Sequence, residues 1–143
     1  MIKNWRERWG DNFPFYFVQL TNFREPTTEP GVLNQWAELQ EAQRLTLKKV
    51  RNTGVAIIND IGMADDIHPT NRADVGERLC RWALAKHYGK DIHPVSGPLL
   101  WKHSIKGDRV ILTFFDHIGD GLQSSDGEDG AVYRFRNLFV REL

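Results

Sequence analysis

Two short runs in this chain, residues 13–20 (Phe-Pro-Phe-Tyr-Phe-Val-Gln-Leu) and 55–59 (Val-Ala-Ile-Ile-Asn), are almost continuously apolar and rich in aromatic and β-branched residues. A strand with one face in water alternates polar and apolar side chains. A run without that alternation suits a strand covered on both faces, as in a parallel sheet. Pro14 belongs at the entry of the first strand, where its missing N–H breaks no ladder. Between the runs, Leu33, Trp36, Leu39, Gln40, Gln43, Leu47 and Val50 recur at helical spacing and predict a helix over 33–50. Lys48, Lys49 and Arg51 complement the dipole at its end.

The flanks extend the pattern. Ile2, Trp5 and Trp9 share one face of a short helix that Gly10 stops. After the second strand and a loop, Asn71 is placed to cap a third helix, with Asp74 in its first turn. Val75, Leu79, Trp82 and Ala83 form that helix's inward stripe, and Lys86, His87 and Gly89 close it, with His87 directed at its last carbonyls. Helix, strand, helix, strand, helix is the order of an α/β chain whose parallel strands are joined by helical crossovers. Two strands are too few for a complete doubly wound domain, so the pattern reads as part of one.

Near residue 95 the texture changes. Pro94, Gly97 and Pro98 mark a linker, and 99–105 and 109–115 read as strands of a hairpin turning at Lys106-Gly107-Asp108. Residues 119–130, rich in Gly, Asp and Ser, read as loop. The expected division is 1–95 for the α/β part and 96–143 for a small β-rich segment.

Apolar residues make up 41% of the 143, enough for a core. The 19 basic and 19 acidic residues cancel without a basic stripe, which argues against a nucleic-acid partner. No stretch of about 18 apolar residues exists that could cross a membrane. The sole cysteine, Cys80, is expected to be a buried structural thiol. The opening residues lack the apolar centre of a signal peptide.

Chemistry concentrates in Asp60-Ile-Gly-Met-Ala-Asp65-Asp66-Ile-His68-Pro-Thr-Asn-Arg72. This segment follows a predicted strand and precedes a helix, and ligand sites of open α/β sheets lie outside the carboxyl ends of the strands. An imidazole there can act as general base toward a serine while a carboxylate fixes its tautomer. Two other readings of these residues stay open: a solvated histidine in an acidic loop, and a divalent cation held by Asp60, Asp65, Asp66 and His68. Gln19, ending the first strand on the same side, could reach a substrate or the His68 loop, or serve as a structural amide. Trp5, Trp9, Trp36 and Trp82 fall on helical stripes and are expected to pack in the core. Trp101 lies on a hairpin strand and is the candidate for carbohydrate contact.

Several ordered motifs resemble the sialate O-acetylesterases. Trp5-Arg6-Glu7-Arg8-Trp9, the run at 13–20, Trp36 with Glu41-Ala42-Gln43, the block at 52–62, Asp66-Ile-His-Pro-Thr-Asn-Arg72, Glu77-Arg78-Leu79 and Ser96-Gly-Pro-Leu99 all have counterparts there, over roughly residues 1–122. Gln40 departs from the pattern, standing where the family usually has arginine. The resemblance implies a partial SGNH-hydrolase (flavodoxin-like) fold, a three-layer parallel sheet followed by a β-rich segment. It implies removal of O-acetyl groups from sialic acid or related sugars, no metal or other cofactor, and export to the periplasm or outside. It makes His68 the general base. Its acid partner is Asp65 by the usual spacing of SGNH enzymes and Asp66 by residue type in the closer family.

The family's Gly-Gln-Ser nucleophile block and its oxyanion block are absent. Ser96, Ser104, Ser124 and Ser125 all follow residue 95, and none has the strand-to-helix setting of a nucleophile. The expectation is therefore a piece of a longer enzyme, either a gene fragment or a reading frame begun at an internal methionine, whose missing amino-terminal part supplies the serine. The alternative is a non-catalytic carbohydrate-binding or interaction fragment.

Overall fold

The structure is a computed structural model and describes residues 1–23, 35–68 and 70–115. Its elements are α1 (Ile2–Trp9), β1 (Phe15–Val18), α2 (Gln35–Lys49), β2 (Thr53–Ala56), α3 (Arg72–Trp82) running into a π-helical turn (Ala83–His87), β3 (Leu99–Lys106) and β4 (Arg109–Phe115). Strands β1 and β2 pair in parallel, and β3 and β4 form an antiparallel hairpin. The loop expected at 119–130, the chain beyond it and most of the 22–31 connection lie outside the described residues.

The capping chemistry falls where the residue types place it. Gly10 adopts φ 65°, and the amides of Gly10 and Asp11 return to the carbonyls of Glu7 and Arg6 at 3.3 and 3.2 Å, which ends α1. The Asn71 side chain accepts the Asp74 amide at 3.3 Å and starts α3. In the hairpin, Gly107 at φ 60° takes the first of two turn positions.

The parallel pair is shorter than the apolar runs suggested. Phe15, Tyr16, Phe17 and Val18 align with Thr53, Gly54, Val55 and Ala56. Beyond Ala56 the backbone carbonyls leave the ladder: Ile57 O accepts from Arg78 at 2.6 Å and Ile58 O from the Thr21 hydroxyl at 3.3 Å.

Alternation places helices on both faces of the pair. Trp5 of α1 meets Phe15 with ring centroids 5.7 Å apart. On the other face, α3 lays Trp82 against Gly54 so closely that a Cβ there would lie 2.6 Å from the indole. The indole N–H donates to Val55 O at 2.8 Å. Val55, Ala56, Ile58 and Trp82 are the buried apolar residues, joined by the polar Gln19 and Thr21.

Three expectations are corrected. Among the described residues strand β1 is half-buried along its length, where full burial was expected. Its Phe15 and Gln19 amides bond toward β2, while those of Tyr16 and Val18 point the other way, with no partner among the described residues. Trp5 and Trp9 pack on Phe15 and Phe13 yet remain 43% and 74% exposed, because nothing among the described residues covers the outer side of α1. Cys80 is exposed, since it lies on the arc of α3 turned away from Trp82. The His87 ring also differs from expectation, standing edge-on to Tyr88 at 4.8 Å.

A single guanidinium joins the amino ends of these elements. Arg6 donates to Phe13 O, Arg51 O and Asn52 O at 3.0, 2.9 and 2.7 Å. The hairpin is fastened to α2 by Arg44 and Lys48, which donate to Leu100 O and Trp101 O at 2.7 and 2.8 Å. Among the described residues no helix is long and apolar enough to cross a membrane.

Candidate active site

Because β1 and β2 run in parallel, their carboxyl ends open on the same side, and the segment from Asn59 to His68 leaves from there. Its first half is held firmly. Gln40 of α2 donates through its amide to Leu20 O, Thr21 O and Asn59 Oδ1 at 2.8, 3.2 and 3.1 Å, tying the exits of both strands together. Gly62 lies against Thr21 and Asn22, where a Cβ would come within 1.9 Å of their side-chain oxygens, so only glycine lets the loop approach.

The strongest anchor is Arg78 with Asp60. The guanidinium donates to both carboxylate oxygens at 2.6 Å and to Ile57 O at 2.6 Å. Those hydrogen bonds hold the Asp60 carboxyl below the usual carboxylate range, against a smaller opposing effect of partial burial. The folded chain thus binds that proton more weakly than the unfolded chain. The pair's stabilisation is complete above the unfolded value of about 4 and is lost as pH falls through the lower folded value. In urea titrations, Asp60→Asn should be less stable than wild type near pH 6, and the gap should close as the pH is taken toward about 2. A gap independent of pH would remove the pair as its cause.

Beyond the anchored half lie the candidate chemical groups. Asp66 Oδ1 accepts the His68 backbone N–H at 2.8 Å and lies 3.2 Å from His68 Nδ1. The backbone hydrogen bond, followed by the ring contact, holds the Asp66 carboxyl below the ordinary carboxylate range. Beside an ionised Asp66 the neutral ring places its proton on Nδ1, and in that tautomer the lone pair is on Nε2. No described residue engages Nε2, and the His68 side chain is 83% exposed. Asp65 is one residue too early in the turn and makes no bond with His68. The geometry therefore brings Asp66 to the imidazole and leaves Asp65 in solvent.

The other sequence candidates lie elsewhere. Gln19 is 5% exposed, and its amide donates to Gln40 O at 2.8 Å, which makes it a tie between β1 and α2. Asp60 turns to Arg78, so the four residues weighed for a cation are not gathered. Ser96 donates to Gly97 O, and Ser104 lies in β3; neither contacts His68, while Ser124 and Ser125 lie outside the described residues.

Sequence reasoning missed Arg78 and Gln40 as organisers of this loop. Arg78 carried a signal, for it shares the inward arc of α3 with Val75, Leu79 and Trp82, where a charge requires a partner.

No family model and no curated protein matches the chain. Among solved structures, it is similar to a carbohydrate acetylesterase from Xanthomonas citri, with 41% identity and a TM-score of 0.78 over 90% of this chain. The chain spans 29% of that protein's length, so what it shares with the esterase is one portion of it.

Proposed function

We propose that this chain is the histidine-bearing portion of an SGNH-type carbohydrate acetylesterase, with O-acetylated sialic acid or a related sugar as substrate. The observation that carries this reading is the 41% identity with an acetylesterase, sustained over 90% of the chain. Helices on both faces of a parallel pair suit one end of a three-layer sheet, with 96–143 as the start of a β-rich segment. The unpaired outer edge of β1 is where further strands would join. In this reading its partner is the remaining part of the same enzyme, and neither nucleic acid nor membrane is involved.

In the reaction, Asp66 orients the His68 ring and Nε2 takes the proton of the serine hydroxyl as its oxygen attacks the acetyl carbonyl. The same Nε2–H then protonates the departing sugar oxygen, leaving acetyl-serine. Water, deprotonated by His68, attacks that ester, and the Nε2–H returns its proton to the serine oxygen as the acyl bond breaks and acetate is released. Asp66 does not take up a proton; it stabilises the imidazolium that forms in each half-reaction. No cofactor enters these steps.

The test joins this chain to the serine-bearing part and measures acetate release from an acetylated sugar. The chain alone should be inactive. In the joined protein Asp66→Asn should lower kcat by about 10⁴-fold, the scale of losing the orienting acid, and Asp65→Asn by only a few-fold. If Asp65→Asn were the damaging change, the pairing would be reversed, and if neither lowered kcat the triad reading would fail.

A further inference from the structure

A cleft lies at the other end of the parallel pair from the His68 loop. It occupies about 750 Å³ and is lined from the last turns of α2, the start of β2, the end of α3 and the start of β3. That volume is in the range of small-molecule sites. Arg51 and Thr53 line it at the amino end of β2, whereas the His68 loop leaves from the carboxyl end.

The lining is one-sided in charge. Arg44, Lys48, Arg51, Lys86 and the His93 imidazole contribute, and among the described residues no carboxylate does, although the whole chain has equal numbers of basic and acidic residues. Three of these side chains are committed, His93 through its Nε2, which lies 3.2 Å from Asp91 Oδ1. Arg44 is paired with Glu41 at 2.6 Å, and the Lys48 ammonium stands 4.7 Å over the Trp101 ring. Arg51 and Lys86 carry no ion pair among the described residues. The floor is apolar, made by Leu47, Trp82, Leu99 and Leu100, and Trp101 at the mouth is 46% exposed.

We propose that this cleft binds a carboxylate-bearing sugar. A guanidinium presents a planar fork that matches a carboxylate in two hydrogen bonds. An indole and leucine side chains offer the flat apolar surface that the C–H face of a pyranose covers. A bare anion would use the cations and leave the indole and apolar floor idle. A neutral sugar would leave Arg51 and Lys86 without a counter-charge. The site is independent of the esterase reading, since none of its residues belongs to the His68 loop.

The experiment titrates the full chain with glucuronate, glucose and inorganic phosphate, following tryptophan fluorescence and heat of binding. Glucuronate should bind at least tenfold more tightly than glucose or phosphate, and added salt should weaken it. Trp101→Ala and the double variant Arg51→Gln/Lys86→Gln should each weaken glucuronate binding at least tenfold with the far-ultraviolet circular dichroism unchanged. His68→Ala should bind as wild type does, separating this site from catalysis. Equal affinity for phosphate would reduce the cleft to a simple anion site and overturn the proposal. So would equal affinity for glucose, absent binding of all three probes, or wild-type affinity in the folded double variant.

Discussion

Replacing His68 by alanine, in a protein that unites this chain with the serine-bearing part, is expected to lower kcat for acetyl-ester hydrolysis on the order of 10⁶-fold. That is the scale on which a triad fails when its base is removed, because serine, histidine and acid act as one unit. The expectation rests on the free Nε2 and on the Asp66 contact at Nδ1, 3.2 Å away. Folding should survive, because the His68 side chain is 83% exposed and its loss creates no cavity. The measurement is single-turnover acetate release alongside the thermal transition. Retention of kcat within tenfold, with folding unchanged, would refute the assignment of the base.

The second large effect is on stability. Trp82→Ala should cost about 3–5 kcal/mol, the range for deleting a buried tryptophan side chain. It removes the indole packed on Gly54 and strands the Val55 carbonyl that the indole N–H satisfies. Against a total stability of roughly 5–15 kcal/mol such a loss leaves little folded protein. Gly54→Ala acts on the same contact from the other side and should cost about 1–3 kcal/mol by overpacking. The two changes should not add, since the space vacated by Trp82 receives the new methyl. Denaturant midpoints of the two single variants and the double variant check this. Additive losses would mean that the indole does not close on residue 54.

The strand–helix–strand order was legible because each apolar run lacked alternation, and α3 could be located from Asn71, Asp74 and the stripe ending at Trp82. The His68 segment was legible from its place after a strand. The sequence was silent where a partner is chosen by three-dimensional approach. Asp65 and Asp66 are equivalent as residue types, and only the turn that bonds the His68 amide to Asp66 separates them. Gln19 was left between a substrate contact and a structural amide because its partner, the Gln40 carbonyl, comes from α2, 21 residues away. Cys80 and Trp9 were read as core from apolar neighbours, but their helices are covered on one side only among the described residues.

The triple donation by Arg6 has a consequence for how this small sheet keeps its alignment. Four residue pairs hold β1 to β2, too few to resist sliding by backbone bonds alone, and a slip of one residue would turn every side chain to the opposite layer. Arg6 belongs to neither strand, yet it grips the chain just before each of them, at Phe13 and at Arg51 and Asn52. It works as a pin through two rulers at their zero marks. The position of the histidine loop at the far end is thereby set from the opposite end of the molecule, by a charge that never approaches it.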